Sequence, residues 1–135
     1  NQVGFPGGKL EKKDVDLAHT ALRETQEEVG VDPNEIEIVR PLSEIYIPPS
    51  NFEVYPFLGL YAKPASFIPQ VTEVAALVEV PLSQFLSDDV IFTQKLSTSY
   101  AKNVNVPAFK LNGYTVWGAT SMMLSEIKIL LHQVL

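Results

Sequence analysis

The chain has 135 residues, no cysteine, and a formal net charge of -6 from 16 acidic and 10 basic side chains. With 46 % hydrophobic residues it can bury one core and is expected to form a single domain over 1–135, while disulfides, thiolate metal sites and a cysteine nucleophile are excluded. The acidic balance speaks against nucleic acid and anionic lipid, no apolar run approaches the ~18 residues of a membrane span, and no basic leader precedes an apolar signal, so a soluble, cytoplasmic protein is expected.

Taken in chain order, Gln2 to Phe5 reads as the end of a strand, broken by Pro6, Gly7 and Gly8. Asp14 or Asp16 can cap a helix that runs to Val29, with Gly30 as its stop. Ala18, Ala21, Leu22, Thr25 and Val29 form its less polar stripe and should face a sheet. Ile36 to Ile47 and Phe52 to Ala62 read as strands around a Pro48-Pro49-Ser50-Asn51 turn, and Val74 to Val80 as a further strand. Pro81 begins a short helix through Leu86 that Ser87, Asp88 and Asp89 terminate. Val104 to Leu111 and Tyr114 to Trp117 form a hairpin around Asn112-Gly113. Thr120 to Val134 is a helix with Met123, Leu124, Ile127, Leu130, Leu131 and Val134 on one side. The pattern predicts an α/β fold with a mixed sheet, the first and last long helices covering opposite faces.

Chemistry concentrates in the first helix. Glu24, Glu27 and Glu28 are spaced by three and four positions, so a helix brings them to one face. Their mutual repulsion is offset either by solvation on an ordinary acidic helix or by Mg²⁺ or Mn²⁺, which prefer carboxylate and water oxygen. Arg23, four residues before Glu27, can fork a hydrogen bond to its carboxylate. Upstream, Pro6-Gly7-Gly8-Lys9 is either a plain turn or a backbone clamp for a diphosphate, with Lys9 adding positive charge.

These residues together resemble the nudix family. Gly7-Gly8 followed by Arg23-Glu24, Glu27-Glu28 and Gly30-Val31 is similar to the nudix box, G-x5-E-x7-R-E-U-x-E-E-x-G-U, where U is bulky and apolar. Two departures stand out: Asp14 takes the place of the first Glu with eight rather than seven residues before Arg23, and Thr25 takes an apolar place. The longer front half, FPGGKLEKKDVDLAHTALRETQEEVGV, resembles the coenzyme A diphosphatase branch. So do Val54-Tyr55-Pro56-Phe57-Leu58-Gly59, Glu73-Val74, Val80-Pro81-Leu82 and Trp117-Gly118. Only Gln2-Val3-Gly4-Phe5 precedes the turn, and the chain begins with Asn, so a piece of a larger protein is expected, a nudix α/β/α sandwich lacking part of its N-terminal strands.

The resemblance implies a divalent-metal-dependent hydrolase acting on a phosphorylated small molecule. Glu24, Glu27 and Glu28 would bind or position the metal, Glu24 would take a proton from water, and Arg23 would orient the carboxylates. Glu73 is the first candidate for a fourth ligand and Glu79 the second, ahead of Asp88 and Asp89. Gly7, Gly8 and Lys9 would bind phosphate, with Tyr46 and Phe52 lining the pocket. Most other aromatic residues, Trp117 among them, are assigned to packing, and His19 and His132 to the surface. Coenzyme A is the expected substrate; ADP-ribose, NADH or a nucleoside triphosphate is the enzymatic alternative, and a noncatalytic nudix-like binding module the other. A homodimer is also expected from the family.

Overall fold

The helix expected after the glycine turn forms over Leu17–Val29 (α1) in the computed structural model, which describes residues 2–63, 67–96 and 104–135. Of the two candidate caps, Asp16 is the one used: its extended backbone leaves the carboxylate to accept the His19 amide at 2.8 Å. Gly30 stops the helix in the left-handed region, φ 76°, its amide returning to Gln26 O at 2.9 Å. A Cβ there would also meet that of Ile68 at 2.9 Å. Gly30→Ala is therefore expected to destabilise the chain by at least about 1–2 kcal/mol, the cost of a left-handed side-chain-bearing residue, measured by urea unfolding.

The chain divides into two compact units. One unit comprises Phe5–Leu42 and Tyr55–Leu77. It holds α1 and the antiparallel pair Ile36–Pro41 (β1) and a later strand, Phe57–Tyr61. Ile36 pairs with Tyr61 and Pro41 with Phe57, with a register shift between Ile38 and Arg40 that leaves Val39 outside the ladder. The expected stripe of α1 does face these strands. Ala21, Leu22, Thr25 and Val29 line one side of an apolar cavity of about 290 Å³ whose other walls include Ile36, Ile38, Phe57 and Tyr61.

The second unit takes the segment up to Gly4, Ser43–Val54 and Val78–Leu135. Its hairpin joins Ile45–Ile47 (β2) to Phe52–Val54 (β3), and Asn51 supplies the left-handed turn residue at φ 56°, which makes Phe57–Tyr61 β4. The two long strands read from the sequence are thus each broken in two. Pro41 and Pro56 explain the breaks, since neither can donate a ladder hydrogen bond; Leu42 donates instead to Pro56 O at 2.8 Å.

Leu82–Phe85 (α2) forms as expected, and Ser87 caps a short 3-10 turn, Asp88–Val90, in place of a plain stop. A three-stranded antiparallel sheet follows from Ile91–Leu96 (β5), Val104–Leu111 (β6) and Tyr114–Val116 (β7). Asn112 and Gly113 both have positive φ, 49° and 82°, as the Asn-Gly hairpin requires. Ala119–Val134 (α3) closes the unit. Phe85, Val90, Phe109, Leu111 and Val116 form its core, with Leu124, Ile127 and Leu131 of α3 packed against them. Lys128 is buried as well, its ammonium donating to Ser87 O at 2.6 Å and lying 5.8 Å from the Phe85 and Phe109 ring centres.

The architecture is α/β, and among the described residues every strand pairing is antiparallel. Three sequence expectations are corrected. Gln2–Phe5 forms no strand; Val3 instead packs on the core of the second unit. Val74–Val80 forms none either, because Glu73 and Val74 both turn back to donate to Gln70 O. Val134 belongs to the exposed end of α3, not to its packed side. The strand β5 was not anticipated.

Candidate functional site

The site lies within the unit that contains α1, and it is organised by Arg23. The helical period carries Thr20, Arg23, Glu24, Glu27 and Glu28 along one side, opposite the stripe that meets β1 and β4. Arg23 is 7 % exposed, and its guanidinium distributes hydrogen bonds in two directions. Towards the preceding loop, Nε donates to Asp14 Oδ1 at 2.9 Å, while Nη2 donates to Asp14 Oδ2 and to Lys9 O, both at 3.1 Å. Towards the helix, Nη1 donates to Glu24 Oε1 at 2.8 Å and to Glu27 Oε2 at 2.9 Å. Glu11 Oε2 adds a looser ion pair at 3.5 Å. The expected Arg23–Glu27 fork is thus only one arm of a larger network.

Asp14 is the residue the sequence did not assign to the site. The extra residue in the front loop is absorbed by a turn in which Asp14 N donates to Glu11 O and Glu11 N donates to Asp14 Oδ2, both at 2.9 Å. That turn brings the Asp14 carboxylate onto Arg23, where Thr20 Oγ1 also donates to it at 3.0 Å. Its side chain is fully shielded from solvent. The hydrogen bonds from Arg23 hold this carboxyl far below the usual carboxylate range, against the opposing effect of burial, and they hold the guanidinium firmly charged.

The sign of the resulting linkage is definite. Asp14 binds its proton less readily in the folded chain than in the unfolded one, so its stabilising contribution is complete above about pH 4 and is lost as pH falls further towards the depressed folded value. Asp14→Asn is expected to be less stable than the parent at neutral pH and to converge with it in acid. Urea unfolding at stepped pH would show this; a difference between the two proteins that does not narrow below pH ~4 would contradict it.

The glycine turn contacts the acids directly. Gly7 N–H donates to Glu28 Oε2 at 3.0 Å. A Cβ at Gly8 would lie 2.6 Å from the Glu24 carboxyl carbon, so only glycine allows this approach. Gly8→Ala is expected to displace the Glu24 carboxylate from Arg23 Nη1, which the side-chain NMR signals of Arg23 in the folded variant would check.

Glu28 follows Glu24 by one turn on the same side of α1. Burial is the largest influence raising its carboxyl above the ordinary range, and the nearby charges of Glu24 and Glu73 add to it, partly offset by the Gly7 amide. Glu73 reaches this neighbourhood because its segment docks on the end of α1, with Ile68 N donating to Val29 O at 2.8 Å and Gln70 N to Glu28 O at 2.9 Å.

Other residues singled out from sequence, His19 apart, lie outside α1. Tyr46 and Phe52 sit on the β2–β3 hairpin of the other unit, both about half exposed, with the Tyr46 hydroxyl donating to Asn51 Oδ1 at 2.7 Å. Glu79, Asp88 and Asp89 also belong to that unit, and Glu79 O accepts from the Asn112 side chain. His19 braces the start of α1, Nδ1 accepting from Val15 N at 3.0 Å, and His132 is exposed in the last turn of α3.

Among the described residues no group of three or more Asp, Glu or His side chains is arranged to hold a metal ion. The donor chemistry nevertheless suits a hard divalent cation. Glu24 and Glu27 each commit one oxygen to Arg23, and Glu28 sits among like charges whose repulsion a cation would offset.

Comparison with known proteins assigns residues 1–98 to the NUDIX domain. The chain is 32 % identical over 134 residues to the uncharacterized Nudix hydrolase NudL of Pectobacterium atrosepticum, covering 95 % of this chain and 66 % of that protein. It is 31 % identical to the peroxisomal coenzyme A diphosphatase ndx-8 of Caenorhabditis elegans, covering 95 % and 54 %. With the mouse peroxisomal coenzyme A diphosphatase NUDT7 the identity is 37 %, over 73 % of this chain and 41 % of the relative. The chain therefore spans from under half to about two thirds of the length of these curated relatives. With the family matched over most of the sequence, and the match spanning the Arg23 network, the chain belongs to the nudix family.

Proposed function

We propose that the chain is the hydrolytic domain of a divalent-metal-dependent nudix diphosphatase, and that its substrate is coenzyme A or a related nucleoside diphosphate derivative. The observation that carries the reading is the division of Arg23 between Asp14 on one side and Glu24 with Glu27 on the other. An arginine on an ordinary solvated helix has no reason to be 7 % exposed with its donors spread over a loop and two glutamates. The names of the relatives, coenzyme A diphosphatases among them, support the substrate class.

In this reading Glu24, Glu27 and Glu28 hold Mg²⁺ or Mn²⁺, with Glu73 as the candidate fourth carboxylate. Bound there, the ion supplies charge neutralisation at the diphosphate and a lowered pKa for water. The chain's own residues do the positioning. Arg23 limits the rotamers of Glu24 and Glu27, the Gly7 amide orients Glu28, and Gly8 leaves room for the Glu24 carboxylate. Glu24 is the group proposed to accept a proton from the attacking water. Because Gly7 N–H is engaged by Glu28, the diphosphate meets a turn already braced by the carboxylate helix.

Product analysis on a panel of diphosphates tests the substrate. Adenosine 3',5'-bisphosphate with 4'-phosphopantetheine is the expected pair. AMP instead would indicate ADP-ribose or NADH, and inorganic diphosphate a nucleoside triphosphate; either outcome overturns the coenzyme A assignment.

A further inference from the structure

We propose that Thr20 is a positioning residue for this site: through Asp14, its hydroxyl holds the Arg23 guanidinium in the orientation that presents Nη1 to Glu24 and Glu27. The inference rests on reading those glutamates as parts of a hydrolytic site.

Thr20 is 3 % exposed and lies one helical turn before Arg23. A helical threonine ordinarily returns its hydroxyl to the carbonyl four residues back. Here that carbonyl, Asp16 O, is 3.2 Å from Oγ1 and is already served by the Thr20 amide at 3.1 Å. The Asp14 carboxylate is nearer, 3.0 Å, and its charge makes it the stronger acceptor for the single hydroxyl proton.

Arg23 has five N–H donors in a rigid fork, so the placement of any two fixes the rest. Asp14 takes Nε and Nη2, and that pair sets the plane from which Nη1 reaches the glutamates. Asp14 itself belongs to the loop, where Glu11 N secures it. On the helix side its partners are the long, multiply jointed Arg23 and the short, β-branched Thr20. Thr20 is thus the stiff link between the loop carboxylate and the helix that carries the acids. Without its hydroxyl, Asp14 and Arg23 can shift together and carry Glu24 and Glu27 with them.

The test combines Thr20→Val and Thr20→Ser with two readouts. Hydrogen exchange and the NMR signal of the Arg23 Nε–H report the fork directly, with no need for turnover. Kinetics with Mn²⁺ report its consequence. Thr20→Val is expected to speed Arg23 Nε–H exchange, to lower kcat by about 10- to 100-fold with KM little changed, and to weaken Mn²⁺ binding in calorimetry, the range seen when an orienting partner is lost. Thr20→Ser, which keeps the hydroxyl, is expected to restore most of each. If Thr20→Val does not fold, Thr20→Ala removes the same donor without placing a methyl group against the carboxylate. Unchanged Arg23 exchange in the hydroxyl-free variant, or equal impairment in Thr20→Ser, overturns the proposal. Failure of the parent protein to cleave any diphosphate would instead overturn the hydrolase reading, while the Arg23 exchange still decides the role of Thr20.

Discussion

Replacing Glu28 with glutamine is expected to lower metal-activated kcat by about 10²- to 10⁴-fold, the scale of losing a group that acts directly on the reacting water or its ion. The same change should leave the fold intact or stabilise it. Glutamine has nearly the same shape, and its amide oxygen can still accept from Gly7 N–H, which now bonds Glu28 Oε2 at 3.0 Å. What disappears is a carboxylate whose ionisation burial and the charges of Glu24 and Glu73 disfavour. The variant should therefore melt at the parent's temperature or higher in EDTA, yet bind Mn²⁺ weakly and turn over slowly. Such a split between stability and activity marks a residue kept for function at a cost to the fold. Parent-like turnover with parent-like metal affinity would remove Glu28 from the site.

Phe109→Ala should show the opposite pattern, a loss of stability whose cause lies outside the carboxylate network. Phe109 is fully buried, and its ring stacks on Phe85 at a centroid separation of 5.9 Å amid Val90, Leu111 and Val116. Deleting such a side chain costs about 3–5 kcal/mol, because neighbouring strands and helices close the vacated space only in part. Lys128 adds to the effect, since its buried ammonium would lose one of the two rings it faces and keep only Ser87 O as its hydrogen-bond acceptor among the described contacts. Urea unfolding is the appropriate measurement. A change below about 1 kcal/mol would show that the surrounding core can collapse into the gap, contrary to the close packing described.

The arginine and glutamates of α1 could be brought together from sequence because the determinants of that half of the helix are local. Asp16 and Gly30 bound the helix, and the three-to-four spacing places Arg23, Glu24, Glu27 and Glu28 together whatever else the chain does. Asp14 escaped because its role depends on a turn outside the helix. The longer loop moves it out of the family spacing, and the Glu11–Asp14 hydrogen bonds move it back in space. A Glu-x-x-Asp turn ahead of a capped helix containing an arginine is the signal that was available.

Strands were harder to read for the opposite reason, since a ladder needs a partner outside the strand's own sequence. Ile91–Leu96 mixes apolar with polar residues after an acidic stop, and becomes a strand by pairing Ile91 with Phe109 and Gln94 with Val106. Val74–Val80 has the richer β-branched composition, yet among the described residues it has no ladder. Pro41 and Pro56 were visible in the sequence, and their missing donors suffice to explain why two apparent long strands became four short ones.

The most direct test of the central assignment is to incubate coenzyme A with the folded chain in Mg²⁺ or Mn²⁺, and in parallel in EDTA, and to resolve the nucleotides chromatographically. The account predicts adenosine 3',5'-bisphosphate and 4'-phosphopantetheine in the metal-containing reactions and neither in EDTA. Equal cleavage in EDTA, or intact coenzyme A after prolonged incubation with either metal, would contradict it.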